Sequence, residues 1–239
     1  MPLRKLTARH RTAAANWQLA SLLAFTAGVV DVSGFLALGQ YTSHMSGLVA
    51  AMAADLHSRG IAAMLHPAIA LGCFLAGAAA CAVMVNWERR RDRESLFAVP
   101  VLLEALLLAS LALPAVHHLI WLALSVLSFS MGLQNAIITK ISDSVIRTTH
   151  ITGMVTDIGI ELGRAFYWNR SSDLPPVASD AVRLGLLSRL VALFFTGGAI
   201  GAFAWPHIGF LLMLPLAALL ATFTILPITA DLRSTVFAR

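Results

Sequence analysis

Ser43-His44-Met45-Ser46-Gly47-Leu48-Val49 comes back later in the chain as Thr149-His150-Ile151-Thr152-Gly153-Met154-Val155. The likeness extends outward from these stretches. Upstream, Phe25-Thr26-Ala27-Gly28 matches Phe129-Ser130-Met131-Gly132; downstream, the two copies close on Asp55-Leu56 and Glu161-Leu162. Farther on, Phe74-Leu75-Ala76-Gly77-Ala78 echoes Phe195-Thr196-Gly197-Gly198-Ala199, and Pro100 pairs with Pro215. Self-similarity over most of a chain means one structural unit used twice, so the unit decides the architecture.

The unit is hydrophobic. Of 239 residues 58% are apolar and only 12% charged, with a mean hydropathy of +0.79. A soluble domain carries about a quarter charged residues. Despite a net charge of +5, this excludes a soluble globular enzyme, a disordered tail and a nucleic-acid-binding domain. About 20 apolar residues carry a helix across a bilayer. Six stretches qualify: Leu19–Gly39, Ile61–Val85, Leu96–Leu113, His118–Thr139, Leu184–Trp205 and Ile208–Ile228. Ser43–Leu56 and Thr149–Leu162 are too short to cross.

Each repeat, residues 19–113 and 118–228, therefore holds three spans and a short half-helix after the first. Three is odd, so the second copy enters the membrane in the opposite sense. The expected fold is all-α and transmembrane, one integral membrane domain of six spans built from two inverted three-helix repeats. Such repeats recur in transporters, with the binding site near the midplane where they meet. The hydroxyl residues Thr42-Ser43 and Thr148-Thr149 are expected to cap the half-helices, whose free N–H groups favour anions.

Charge sets the orientation. With the N-terminus inside, residues 1–18, 86–95, 140–183 and the tail after 228 are cytoplasmic. Counting Arg189 at its interface, they hold 16 of the 17 Lys and Arg residues, Arg59 alone falling outside. That asymmetry predicts both termini in the cytoplasm. Basic Arg4, Lys5, Arg9 and Arg11 precede a first run too long for a secretory signal, so it reads as an uncleaved span. Trp17, Trp87, Trp121, Trp168 and Trp205 flank the spans, as an aromatic belt requires. Arg164–Arg183, with Pro175-Pro176, reads as a cytoplasmic linker between the halves.

Asp31 lies mid-span near Gly28 and Gly34, where a carboxylate costs about 3 kcal/mol and needs a reason. It reads as a solute, cation or proton site, or else as a buried interhelical hydrogen bond. Its repeat counterpart is Asn135, beside Gln134. Glu104 is a second acid in an apolar setting and a second candidate proton site. His44 and His150 open the half-helices and read as ligand contacts, proton gates or caps. Asp157 and Glu161 are expected to be solvated or paired with Arg147 or Arg164. Cys73 and Cys81 read as packing residues, with no metal spacing and no disulfide framework. The Gly197–Gly201 pair and the Gly72, Ala76, Ala80 stripe are close-packing surface, within the protein or at a homodimer contact. Neither a P-loop, a His-Glu-x-x-His nor a Gly-x-Ser-x-Gly occurs.

Gln40-Tyr41-Thr42-Ser43-His44-Met45-Ser46-Gly47, Met131-Gly132-Leu133-Gln134-Asn135-Ala136 and Arg147-Thr148-Thr149-His150-Ile151-Thr152-Gly153 resemble the YoaK family of small bacterial membrane proteins over residues 19–228. The resemblance implies a multi-pass inner-membrane protein and supplies no substrate or catalytic residue. From the residues themselves the expectation is a transporter or channel for a small polar or anionic solute. Asp31, His44, Gln134, Asn135 and His150 line its site, and neither cofactor nor metal is called for. Two other readings stand beside it. One is a non-transporting membrane partner or regulatory subunit; the other is an intramembrane enzyme using Ser33, Asp31 and His44.

Overall fold

The computed structural model describes Thr7 and residues 12–58, 60–91, 93, 95–113, 119–141, 149–170 and 175–237. Arg4, Lys5, Arg9, Arg11, Arg59, His118, Arg147 and Thr148, which entered the expectations above, lie outside these residues. Among the described residues there are helices and turns and no strands. The helices are α1 (Ala13–Leu38), α2 (Met45–Ser58), α3 (Leu65–Arg90), α4 (Ala98–Ser110), α5 (Ile120–Ile141), α6 (Ile151–Ala165), α7 (Ala181–Ile208) and α8 (Met213–Phe237).

Four stretches are long and apolar enough to cross a membrane: Ala14–Leu38, Ile61–Arg90, Ile120–Ile141 and Ala181–Thr229. The last is not one rod. Gly209, at φ 52°, and the 3-10 turn Gly209–Leu212 break it into helices of 28 and 25 residues. Within Leu96–Leu113 the helix itself has 13 residues and is about 20 Å long, shorter than the ~30 Å hydrocarbon thickness. Its entry is tied down in a turn, where the Ser95 N–H donates to Asp231 (2.8 Å) and the Phe97 N–H to Thr7 (3.2 Å). Pro100 and Pro215 each occupy the third position of their helix, where a missing N–H costs nothing.

Helix ends follow local chemistry. Thr12 caps α1 by accepting from the Ala15 N–H, and Gly39, at φ 69°, ends it in the left-handed region. α2 and α6 have 14 and 15 residues and span about 21–23 Å, less than the ~30 Å hydrocarbon thickness. Both start two residues after the expected hydroxyl caps. At α6 the cap position falls to His150, which makes no side-chain capping bond.

Glycine sets the packing. α1 lies on α7, α3 on α5 and α4 on α8. A Cβ at Gly28 would strike the Phe194 carbonyl, and one at Gly197 the Phe25 carbonyl; a Cβ at Gly132 would strike the Phe74 carbonyl, and one at Gly77 the Phe129 carbonyl. The two crossings share one pattern. It equates Phe74 with Phe194 and Gly77 with Gly197, one residue earlier than the sequence echo of Phe195 and Gly198. The Gly197–Gly201 pair thus packs inside the molecule, against Phe25 and Val29 of α1. Gly72 and Ala76 stay on the outer surface.

Helix directions follow from the same contacts. Phe25 meets Gly197 and Val29 meets Gly201, so α1 and α7 run parallel. His66 stacks on Trp121 at the starts of α3 and α5, which also run together. α1 and α5 are antiparallel: Asn16 reaches the Ile141 carbonyl, Gln134 the Leu23 carbonyl, and Gly34 faces Leu127. Leu23, Leu108, Leu127, Met131, Ile137, Leu190 and Met213 fill the core between these helices.

Candidate functional site

A cavity of about 1310 Å3 opens between the α1–α7 pair and the α3–α5 pair. Asp31 and Phe194 line it from the first pair. Phe74, Ala78, Ala82, Arg89, Asn135, Ala136, Thr139 and Lys140 line it from the second. Both half-helices point their starts into it, with Tyr41, Ser43, His44 and Ser46 from one copy and Thr149, His150, Ile151 and Thr152 from the other. Non-helical backbone survives at membrane depth when it is buried in protein or lines such a space.

Asp31 is buried, and its Oδ1 accepts from the backbone N–H groups of Thr42 (3.1 Å) and Ser43 (3.0 Å) and from the Thr42 hydroxyl (3.4 Å). The carboxylate thus holds the approach to α2. The counterpart contact is neutral: the Asn135 Oδ1 accepts from the Thr149 hydroxyl at 2.8 Å, and its amide donates back to the Met131 carbonyl. Each half-helix is therefore tethered to the span before it. Thr42, Ser43 and Thr149 serve in that tether rather than as helix caps.

The histidines take matched positions. His44 and His150 each lie over the first turn of their helix, and a Cβ at Gly47 or Gly153 would run into the imidazole Nδ1. This explains the spacing His44-x-x-Gly47 and His150-x-x-Gly153: only glycine leaves the ring its place. Tyr41 stacks on Phe35 (centroids 4.5 Å) and meets His44 edge-on (6.1 Å).

Of the residues expected at the site, Asp31, His44, Asn135 and His150 line the cavity. Gln134 and Glu104 do not. Gln134 faces α1, roughly 100° around the helix from Asn135, and its Nε2 donates to the Leu23 carbonyl. Glu104 is fully buried on α4, with no hydrogen bond to either carboxyl oxygen among the described residues. The Ser33 hydroxyl faces Gly201 of α7 rather than the cavity. Among the described residues no three His, Cys, Asp or Glu side chains group to hold a metal ion. Glu161 pairs with Arg164 (2.9 Å) as expected, while Asp157 pairs with Arg183 (2.9 Å), which the sequence did not suggest. Arg89 and Lys140 entered the sequence reading only as orientation charges, yet both reach the cavity.

The chain is similar to the UPF0700 transmembrane protein YoaK of Bacillus subtilis (strain 168). The two are 26% identical over 193 residues, which cover 79% of this chain and 83% of that protein. No solved structure matches. The family model described as "Protein of unknown function (DUF1275)" matches residues 19–226. The apolar helices and these matches agree, and the chain belongs to the DUF1275 family of YoaK-like membrane proteins.

Proposed function

We propose that this protein is a six-span transporter or channel for a small polar solute, built from two inverted repeats. The observation that carries the reading is that both halves bring matched residues to one and the same cavity: Asp31 with Asn135, His44 with His150, Phe74 with Phe194. Two-fold-related half-helices meeting at a central space are a recurrent transporter design. The antiparallel run of α1 and α5, the first helices of the two halves, supports the inversion. The parallel pairs α1–α7 and α3–α5 support six crossings with α2 and α6 as non-crossing half-helices. α7 and α8 count as separate spans, and α4 with its flanking turns as the third. The arginine asymmetry favours a bacterial inner membrane with both termini cytoplasmic.

Each tight pair takes one helix from each half, and glycine contacts lock it. The cavity lies between the pairs, so rocking of one against the other would alternate its exposure. A liposome swelling assay tests this. Purified protein should speed the osmotic re-swelling of vesicles for at least one class in a panel of polyols, amides and organic anions. Ala78→Trp, which projects a bulky ring into the cavity from its wall, should reduce the acceleration. Equal swelling with and without protein across the whole panel contradicts transport.

A further inference from the structure

We infer that the cavity, read as the solute site proposed above, takes an organic anion whose charged head lies in the second half, beside Lys140 and Arg89. The two halves differ in charge at matched positions. In the first, the carboxylate of Asp31 already accepts from the N–H groups that lead into α2. The chain supplies that half with its own anion. In the second, Asn135 stands in the matching place and brings no charge to the start of α6. The cations are distributed the same way. Lys140 follows Asn135 on α5, and Arg89 lies in the last turn of α3, the helix packed against α5. Among the described residues neither makes an ion pair, and among them Asp31 is the only carboxylate lining the cavity.

The walls describe the rest of the ligand. Phe74 and Phe194 come from matched positions in the two halves, and Ala78, Ala82 and Ala136 leave room beside them. A flat or branched apolar body fits there while its head reaches the cations and the hydroxyls of Thr149 and Thr152. A small inorganic anion would leave those walls uncovered.

Thermal unfolding of the detergent-purified full chain provides the test, with benzoate and phenylphosphonate as anionic probes and benzamide and benzylammonium as shape-matched controls. At least one anion should raise the melting temperature in a saturable way, and neither control should match it. Lys140→Gln should weaken that binding by about tenfold, the loss of one charge-assisted contact. Asn135→Asp, which gives the second half a carboxylate like the first, should weaken it at least as much. No saturable shift with either anion overturns the inference, and so do equal shifts from the controls or unchanged affinity in both variants. Anion binding without flux in the swelling assay would instead sink transport and leave the ligand class standing.

Discussion

Gly28→Val is expected to abolish the well-folded protein. A Cβ at this position meets the Phe194 carbonyl and the Gly198 backbone nitrogen, both held in α7. Overpacking a core of side chains costs about 1–3 kcal/mol because side chains shift. Here the obstacle is main chain on both sides, so the α1–α7 pair must separate, and the cost should exceed that range. Gly132→Val should act alike through the Phe74 carbonyl. Gly72→Val is the control, because nothing lies within 4 Å of a Cβ there. Monodisperse yield and melting temperature in detergent measure all three. A Gly28→Val protein as stable as Gly72→Val would contradict the helix pair.

Asp31→Ala is expected to cost nearly as much, by a different route. It removes the acceptor for two main-chain N–H groups and one hydroxyl. Each buried amide left unpaired costs about 1–3 kcal/mol, and α2 loses its tether to α1. Asp31→Asn keeps an acceptor oxygen and copies the neutral arrangement of Asn135 with Thr149. It should therefore melt close to the parent protein. If alanine and asparagine variants fall together, charge rather than hydrogen bonding holds the half-helix. If neither falls, Asp31 does not anchor α2.

Much of this architecture is legible in the sequence because it depends on what repeats. The matched glycines, the His-x-x-Gly motifs and the Asp31–Asn135 pairing each mark a place where two halves solve one packing problem. Pattern fails where geometry decides. Gln134 and Asn135 are adjacent and equally polar, yet helical rotation sends one to the Leu23 carbonyl and the other into the cavity. Asp31 reads as a lone carboxylate because its partners are backbone N–H groups eleven and twelve residues on, invisible to any search for side-chain pairs. Lys140 and Arg89 look like interfacial charges until helix packing brings both to one space. The stretch Leu96–Leu113 reads longer than its helix because apolar composition runs through the turns at both ends.

The opposed insertion of the two halves is tested most directly by labelling single cysteines at the ends of the half-helices, with Cys73→Ala and Cys81→Ala as background. Ser58 ends α2, and Phe166 follows α6 on an exposed stretch. In intact cells a membrane-impermeant maleimide should label Ser58→Cys and leave Phe166→Cys untouched. In inverted membrane vesicles the result should reverse. Labelling of both positions from the same face would contradict the inverted repeat.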